Sequence, residues 1–192
     1  MAADGTVDGT VDEAAGREQG QLRGTELKRF HREVRRGRPG GREITIVCDN
    51  VQDPVNVGAI FRLADAVRAR EVVLGGTSAL PGEGRRVLSA AARGKEAVVP
   101  WRHAPQAAEA LRELAAGGVA GCAVEIAGDA VAYHEAEYPD RLALVVGNEE
   151  YGVTRRTLAE CPWRVFVPMF GRGRSLNVAV SLAVVAYRVI LP

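Results

Sequence analysis

Short runs of β-favouring apolar residues alternate with stretches of helical periodicity along most of this chain, and no other feature restricts its fold as strongly. The runs are EITIVC at 43–48, EVVL at 71–74, AVV at 97–99, VAGCAV at 119–124, LALVV at 142–146 and RVFV at 164–167. Several are apolar at every position instead of every second one, as expected of parallel strands covered on both faces. Helical patterns fall between them, near 55–68, 84–92, 105–117, 153–159 and 175–190. This alternation predicts an α/β fold: a mainly parallel sheet with helices on both faces. Ligands of such sheets bind outside the carboxyl ends of the strands, so chemistry is expected in the loops that follow them.

Composition narrows the class further. With 192 residues, 47% apolar and 26% charged, the chain can bury one sizeable core but is too short for two full domains. A net charge of +1 does not demand a polyanionic partner, so any nucleic-acid site must be a local patch. Cys48, Cys122 and Cys161 are odd in number and lack CxxC spacing, which supports neither a disulfide framework nor a zinc site and fits a reducing cytoplasm. His31, His103 and His134 have no ligand spacing and read as surface residues, so no metal is expected. The start has no secretory pattern. The apolar stretch at 176–191 is broken by Asn177, Ser181 and Arg188 and is shorter than the roughly 20 residues of a membrane span.

Along the chain, residues 1–22 read as a disordered acidic tail, too polar to offset their ordering entropy. Residues 23–42 read as a basic helical arm and linker, with 43–192 as the α/β domain. In the arm Leu27, Phe30 and Val34 recur at i, i+3 and i+7 behind a Thr25 cap, among Lys28, Arg29, Arg32, Arg35 and Arg36, before GRPGG at 37–41 breaks the helix. Two readings stand: a solvated helix packing its apolar stripe on the body, or a contact for RNA phosphates.

Three glycine-punctuated segments follow strands. In DNVQDPVNVGAIFRLADAV at 49–67, Asp53 and Pro54 suit a helix start, Asn56 can cap backbone donors, and Gly58 permits close backbone approach. Arg62 is the outlier on an otherwise apolar helix, and pairing with Asp65 at i+3 is its plain structural reading. LALVVGNEEYGV at 142–153 opens an apolar strand into Gly147-Asn148-Glu149-Glu150-Tyr151-Gly152, either a ligand-wrapping loop or a tight surface turn. In the segment at 165–189 a strand ends at Val167-Pro168-Met169, and a Gly171/Gly173 loop carries Arg172 and Arg174. Ser175-Leu176-Asn177 then opens a helix apolar nearly all round, part of which is expected in a subunit interface. No GxGxxG follows a strand, and G-x4-G-K-[ST], HExxH and GxSxG are missing.

Together, NVGAIFR at 56–62, VGNEEYGV at 146–153 and VPM followed by SLNV at 167–178 resemble the three ordered motifs of the SPOUT superfamily, specifically its TrmH-like RNA ribose 2′-O-methyltransferases. The resemblance spans about 43–191 and implies a homodimeric SPOUT domain whose C-terminal segment forms a deep trefoil knot, an exception to the usual unknotted topology. It implies S-adenosyl-L-methionine as cofactor, with Gly147, Val167 and Leu176 as contacts, joined by Met169 and by Val124 and Glu125. By the same resemblance Arg62 corresponds to the catalytic arginine, Asn56 and Glu149 to its supporting polar residues, and Ser175 and Asn177 to groups near the acceptor.

The reaction implied is displacement at a methyl carbon by a ribose 2′-hydroxyl of a structured RNA, tRNA and rRNA both being open. A neutral guanidine is costly, so Arg62 is expected to stay charged, to bind a neighbouring phosphate and to stabilise the developing alkoxide. Arg35, Arg36, Arg155, Arg172 and Arg174 are the expected RNA-phosphate contacts. The alternatives are a SPOUT enzyme acting on a base nitrogen or small molecule, and a non-catalytic RNA-binding dimer.

Overall fold

The computed structural model describes residues 21–36, 41–82 and 85–191; residues 1–20 of the expected 1–22 tail and most of the GRPGG break lie outside these. The chain divides into two compact units, 1–39 and 40–192.

In the first unit, helix α1 spans Gly24–Arg36. Its stripe of Leu27, Phe30 and Val34 is exposed, and Arg29 pairs with Glu33 one turn on at 3.1 Å. Thr25 lies inside the helix, so it is not the expected cap.

The second unit is built on seven strands, all paired in parallel in the order β3-β2-β1-β6-β4-β7-β5. These are β1 (Glu43–Asp49), β2 (Val72–Gly75), β3 (Trp101–Ala104), β4 (Ala120–Val124), β5 (Val131–Ala132), β6 (Arg141–Gly147) and β7 (Trp163–Phe166). The helices are α2 (Pro54–Val67), α3 (Arg86–Ala92), α4 (Ala107–Ala116), α5 (Arg155–Ala159) and α6 (Val178–Ile190).

The pleat explains the uniformly apolar runs, because successive side chains enter opposite layers. Ile44, Ile46 and Cys48 of β1 and Leu142, Leu144 and Val146 of β6 join the core of α2, α3 and α6. Val47, Ala143 and Val145 join the core of α4 and α5 on the other face. The sheet is therefore covered on both sides, as expected. The three cysteines are buried and free, and burial pushes each thiol up to about 12.

Two elements differ from expectation. AVV at 97–99 is not a strand: Lys95–Ala97 form a short 3-10 turn, Lys95 pairs with Asp65 at 2.8 Å, and Val98 is 67% exposed. The strand begins after Pro100 as Trp101–Ala104, an edge strand whose Arg102 pairs with Glu71 and Glu113. Its polar residues hide it from an apolar search, and charge on an edge blocks pairing with other chains. The final helix starts at Val178 and not at 175, because the Asn177 side chain caps it by accepting from the backbone N–H groups of Ala179 and Val180.

Helix α2 begins as its sequence requires: Asp53 caps it by accepting from the Val55 N–H at 2.8 Å, and Pro54 opens the first turn. Gly58 is the close-approach residue anticipated, and α3 is what approaches. A Cβ there would lie 2.6 Å from the Leu88 carbonyl oxygen and 2.9 Å from the Ala92 nitrogen, both backbone atoms that cannot swing away. Gly58→Ala is therefore expected to lower the unfolding free energy by about 1–3 kcal/mol, measured by urea denaturation; an unchanged midpoint would mean that the two helices separate at no cost.

Candidate active site

Strands β4, β6 and β7 all end at one edge of the sheet, and the loops that follow them enclose a cavity of about 430 Å³. The six residues expected to contact a cofactor, Val124, Glu125, Gly147, Val167, Met169 and Leu176, all line it. So do Glu149, Ser175 and Asn177.

The convergence of the three motifs rests on side-chain hydrogen bonds. Asn177 uses its side-chain oxygen to cap α6, so its amide NH2 is left to donate, and it does so to the Asn56 oxygen at 2.8 Å. Asn56 is buried on α2 and donates its own NH2 to Glu149 at 2.8 Å. Glu149 also accepts from the backbone N–H groups of Gln52 and Asp53, both at 3.2 Å. One chain of hydrogen bonds thus runs from the third motif through the first to the second. Asn56 does not cap backbone donors, as its position suggested; its amide is spent on the two other motifs.

Burial alone raises the Glu149 carboxyl, but donation by Asn56 and by the backbone of Glu149, Gln52 and Asp53 outweighs it and holds the group below the ordinary 4.5. The loop around it is folded tightly. The Asn148 side chain accepts from the Glu150 and Tyr151 N–H groups and donates to the Asn50 carbonyl, while Asn148 and Gly152 form a short antiparallel bridge. Glu125 clasps the same turn from β4, accepting from the Val153 N–H at 2.8 Å. Gly147 allows no side chain, since a Cβ would lie 2.1–2.3 Å from the Gly152–Val153 backbone. Buried Asp49, at the end of β1, accepts from the Thr154 N–H at 2.8 Å and secures the start of α5. The bracing roles of Asp49, Asn148 and Glu125 were hidden in sequence; Asn after Gly at a strand end is a turn signal, but its partners are remote.

Arg62 is not part of the lining. It is exposed on α2, six residues and about 9 Å of helix rise beyond Asn56. Its expected partner Asp65 pairs with Lys95 instead, and among the described residues Arg62 has no ion pair. Arg155, Arg172 and Arg174 are exposed in the second unit, whereas Arg42, at the end of the expected arm, donates to the carbonyls of Tyr138 and Val189. Arg35 and Arg36 end α1 in the first unit and are exposed. Among the described residues no cluster of potential metal ligands occurs, and no helix is long and apolar enough to cross a membrane.

The lining combines apolar side chains and backbone groups with the polar side chains of Glu125, Asn148, Glu149, Glu150, Ser175, Asn177 and Ser181, and among the described residues it contains no lysine, arginine or histidine. Its volume lies in the range of about 300–1,000 Å³ typical of small-molecule sites. A flat heteroaromatic ring suits the apolar walls, and a cationic ligand meets the carboxylates of Glu125, Glu149 and Glu150 and, among the described residues, no repelling cation.

Residues 43–187 match the SpoU rRNA Methylase family. A tRNA (guanosine(18)-2′-O)-methyltransferase of Escherichia coli (strain K12) is 31% identical over 145 residues, 76% of this chain and 62% of the relative, so the chain spans about three-fifths of that protein's length. The tRNA (guanosine(18)-2′-O)-methyltransferase of Thermus thermophilus is 31% identical over 160 residues, 83% of this chain and 79% of the relative. The crystal structure of an AdoMet-bound rRNA methyltransferase from Sinorhizobium meliloti aligns with a TM-score of 0.70 at 29% identity, over 81% of this chain and 59% of that one.

The carboxyl supplies a stability test. Because the folded-state pKa of Glu149 is depressed, its contribution is present above the unfolded-state value and lost as pH falls through the folded one. The stability difference between wild type and Glu149→Gln should be constant above about pH 5 and shrink as pH drops below 4.5, read by urea unfolding across a pH series. A difference independent of pH in that window would show that the carboxylate form is not what the Asn56 amide recognises.

Proposed function

The chain belongs to the SpoU rRNA Methylase family, and from that premise we propose that it is an S-adenosylmethionine-dependent methyltransferase acting on a ribose 2′-hydroxyl of a structured RNA. The single observation that carries this reading is the Asn177–Asn56–Glu149 chain, which binds the three motifs into one wall beside the cavity. Similarity to tRNA and rRNA 2′-O-methyltransferases supports the RNA substrate, with both classes of RNA open.

The cavity residues fit the cofactor. Val124, Val167 and Leu176 offer apolar walls for adenine, Gly147 and Met169 bring backbone close, and Glu125 stands at the edge. When bound, S-adenosylmethionine supplies an electrophilic methyl group. A tight anionic clamp is unnecessary, since the sulfonium charge disappears on transfer, and both Glu125 and Glu149 are already committed to backbone amides. Ser175 and Asn177 border the acceptor, and Asn56 and Glu149 hold Asn177 in place. Arg62 binds the adjacent phosphate through its planar fork and stabilises the oxygen as its proton leaves to phosphate or water.

Because Arg62 lies outside its own cavity lining, the reading includes a homodimer in which the site is completed between subunits. Val180, Val184, Tyr187 and Leu191 recur along the outer face of α6, with Val180, Tyr187 and Leu191 between 45% and 56% exposed. Val55 is half exposed on the neighbouring α2, one helical stripe with Arg62 seven residues on. A second copy covering these helices would bury the apolar residues and enclose the guanidinium. After β7 the chain returns to pack α6 against α2 and β6; we read that return as the deep trefoil knot of the SPOUT fold. The domain division follows: residues 43–192 carry the chemistry, and the arm over 23–42 supplies Arg35 and Arg36 to RNA. Three free thiols fit a cytoplasmic setting.

Methyl-tritiated cofactor and total RNA from cells lacking the protein test the activity. Label is expected as a 2′-O-methylated nucleotide on digestion, and Arg62→Lys is expected to lose at least tenfold in kcat/KM, since lysine keeps charge but not the fork. Label on a base, or on no RNA, would replace the ribose reading with one of its alternatives. RNA affinity should also fall with salt, and Arg172→Gln with Arg174→Gln together should flatten the log–log slope by about 1–2. Nitrocellulose-filter titrations at several salt concentrations read this directly.

A further inference from the structure

Two aromatic rings stand in solvent on the two loops that bound the cavity. Phe170 is 99% exposed and follows the lining residue Met169; Tyr151 is 79% exposed between the lining residues Glu150 and Gly152. A phenylalanine that buries nothing in its own subunit gains no stability from its ring there. Neither ring is needed to form the cavity, because neither lines it.

The surroundings of Phe170 have a consistent chemistry. Its loop continues Gly171-Arg172-Gly173-Arg174, both arginines are exposed, and Ser175 returns to the cavity wall. Among the described residues no hydrogen bond is made by residues 168–176, in contrast to the heavily braced loop at 147–153. An unbraced loop with one bare aromatic ring and two guanidinium groups is the composition of a single-stranded nucleic-acid contact, where the ring stacks on a base and the cations take the flanking phosphates.

We propose that Phe170 is a stacking platform for an unpaired base of the substrate RNA, next to the nucleotide whose ribose enters the site. This deepens the methyltransferase reading and rests on it. A ribose 2′-hydroxyl within a duplex is held by stacking on both sides of its base. Handing one neighbouring base to Phe170 replaces part of that stacking and lets the ribose approach Ser175 and Asn177. The substrate class is then a loop, bulge or other unpaired segment instead of a continuous helix. A second copy of this chain is the other surface that would cover the ring, and the test separates the two.

The experiment measures methyl transfer to RNA for the full chain and for Phe170→Ala, Phe170→Leu and Phe170→Trp, with cofactor affinity from calorimetry and subunit state from sedimentation. Loss of base stacking is expected to raise KM for RNA about tenfold in Phe170→Ala. Phe170→Leu should behave like alanine and Phe170→Trp like wild type, with cofactor affinity and subunit state the same in all four. Leucine restoring KM as well as tryptophan does, or dissociation of subunits in Phe170→Ala, overturns the proposal in favour of apolar packing between copies. An unchanged KM in Phe170→Ala, with wild type active, overturns the stacking role alone. Wild type that transfers no methyl to RNA overturns the methyltransferase reading and this one with it.

Discussion

The directed hydrogen-bond chain from Asn177 through Asn56 to Glu149 is the constraint on which the site depends. Its polarity is set at both ends. At one end the α6 backbone N–H groups occupy the Asn177 oxygen, so only its NH2 can face Asn56. At the other end Glu149, ionised and receiving two backbone N–H groups, can only accept. Asn56 in the middle, buried at 6% exposure, satisfies one donor and one acceptor without choice. A serine or alanine there could not bridge the two, and a carboxylate would repel Glu149. Residues more than ninety positions apart are thus held in one register by two amides, each bond charge-assisted or in line with one that is.

A second device works by exclusion of volume. Gly147 ends β6 with the Gly152–Val153 backbone lying where its Cβ would be, and a Cβ at Gly152 would meet the Glu125 carboxylate at 2.4 Å. The 147–153 turn is therefore pressed against the strand it leaves and clasped from β4. This leaves the backbone rather than side chains bordering the cavity at Gly147, which suits recognition of a flat ring through peptide groups. The many hydrogen bonds here contrast with the 168–176 loop, for which the described residues show none, so one part of the cavity border is braced and another is not.

The fold was largely legible because its signals are local and repeated. Strands buried on both faces are apolar at every residue, as in LALVV, and helices betray themselves by periodicity and by caps such as Asp53-Pro54. Where a signal is borne by polar residues it fails. The edge strand Trp101–Ala104 carries Arg102 and His103, so the apolar AVV just before it draws attention instead. The site was legible as a set of segments but not as a set of bonds. The resemblance to the TrmH-like motifs named Asn56, Glu149 and Asn177, yet nothing local to Asn56 distinguishes capping its own helix from reaching residues 93 and 121 positions away. Arg62 with Asp65 shows the same limit: i+3 spacing permits the pair, while Lys95, thirty residues downstream, takes the carboxylate.

Arg62 then has a particular position in the energetics. A guanidinium without an ion pair among the described residues, on a helix face otherwise carrying Val55 and Ala59, is tolerable only while water reaches it. Covering that face with an apolar α6 stripe would strand the charge unless an anion came with it. In the proposed homodimer a subunit contact across α2 and α6 and a phosphate beside Arg62 would be linked: each would lower the cost of the other, so RNA binding and subunit association would reinforce one another as a matter of reciprocity. The apolar stripe and the isolated cation, each unremarkable alone, would form one functional arrangement in the proposed homodimer, a surface that closes around a polyanion.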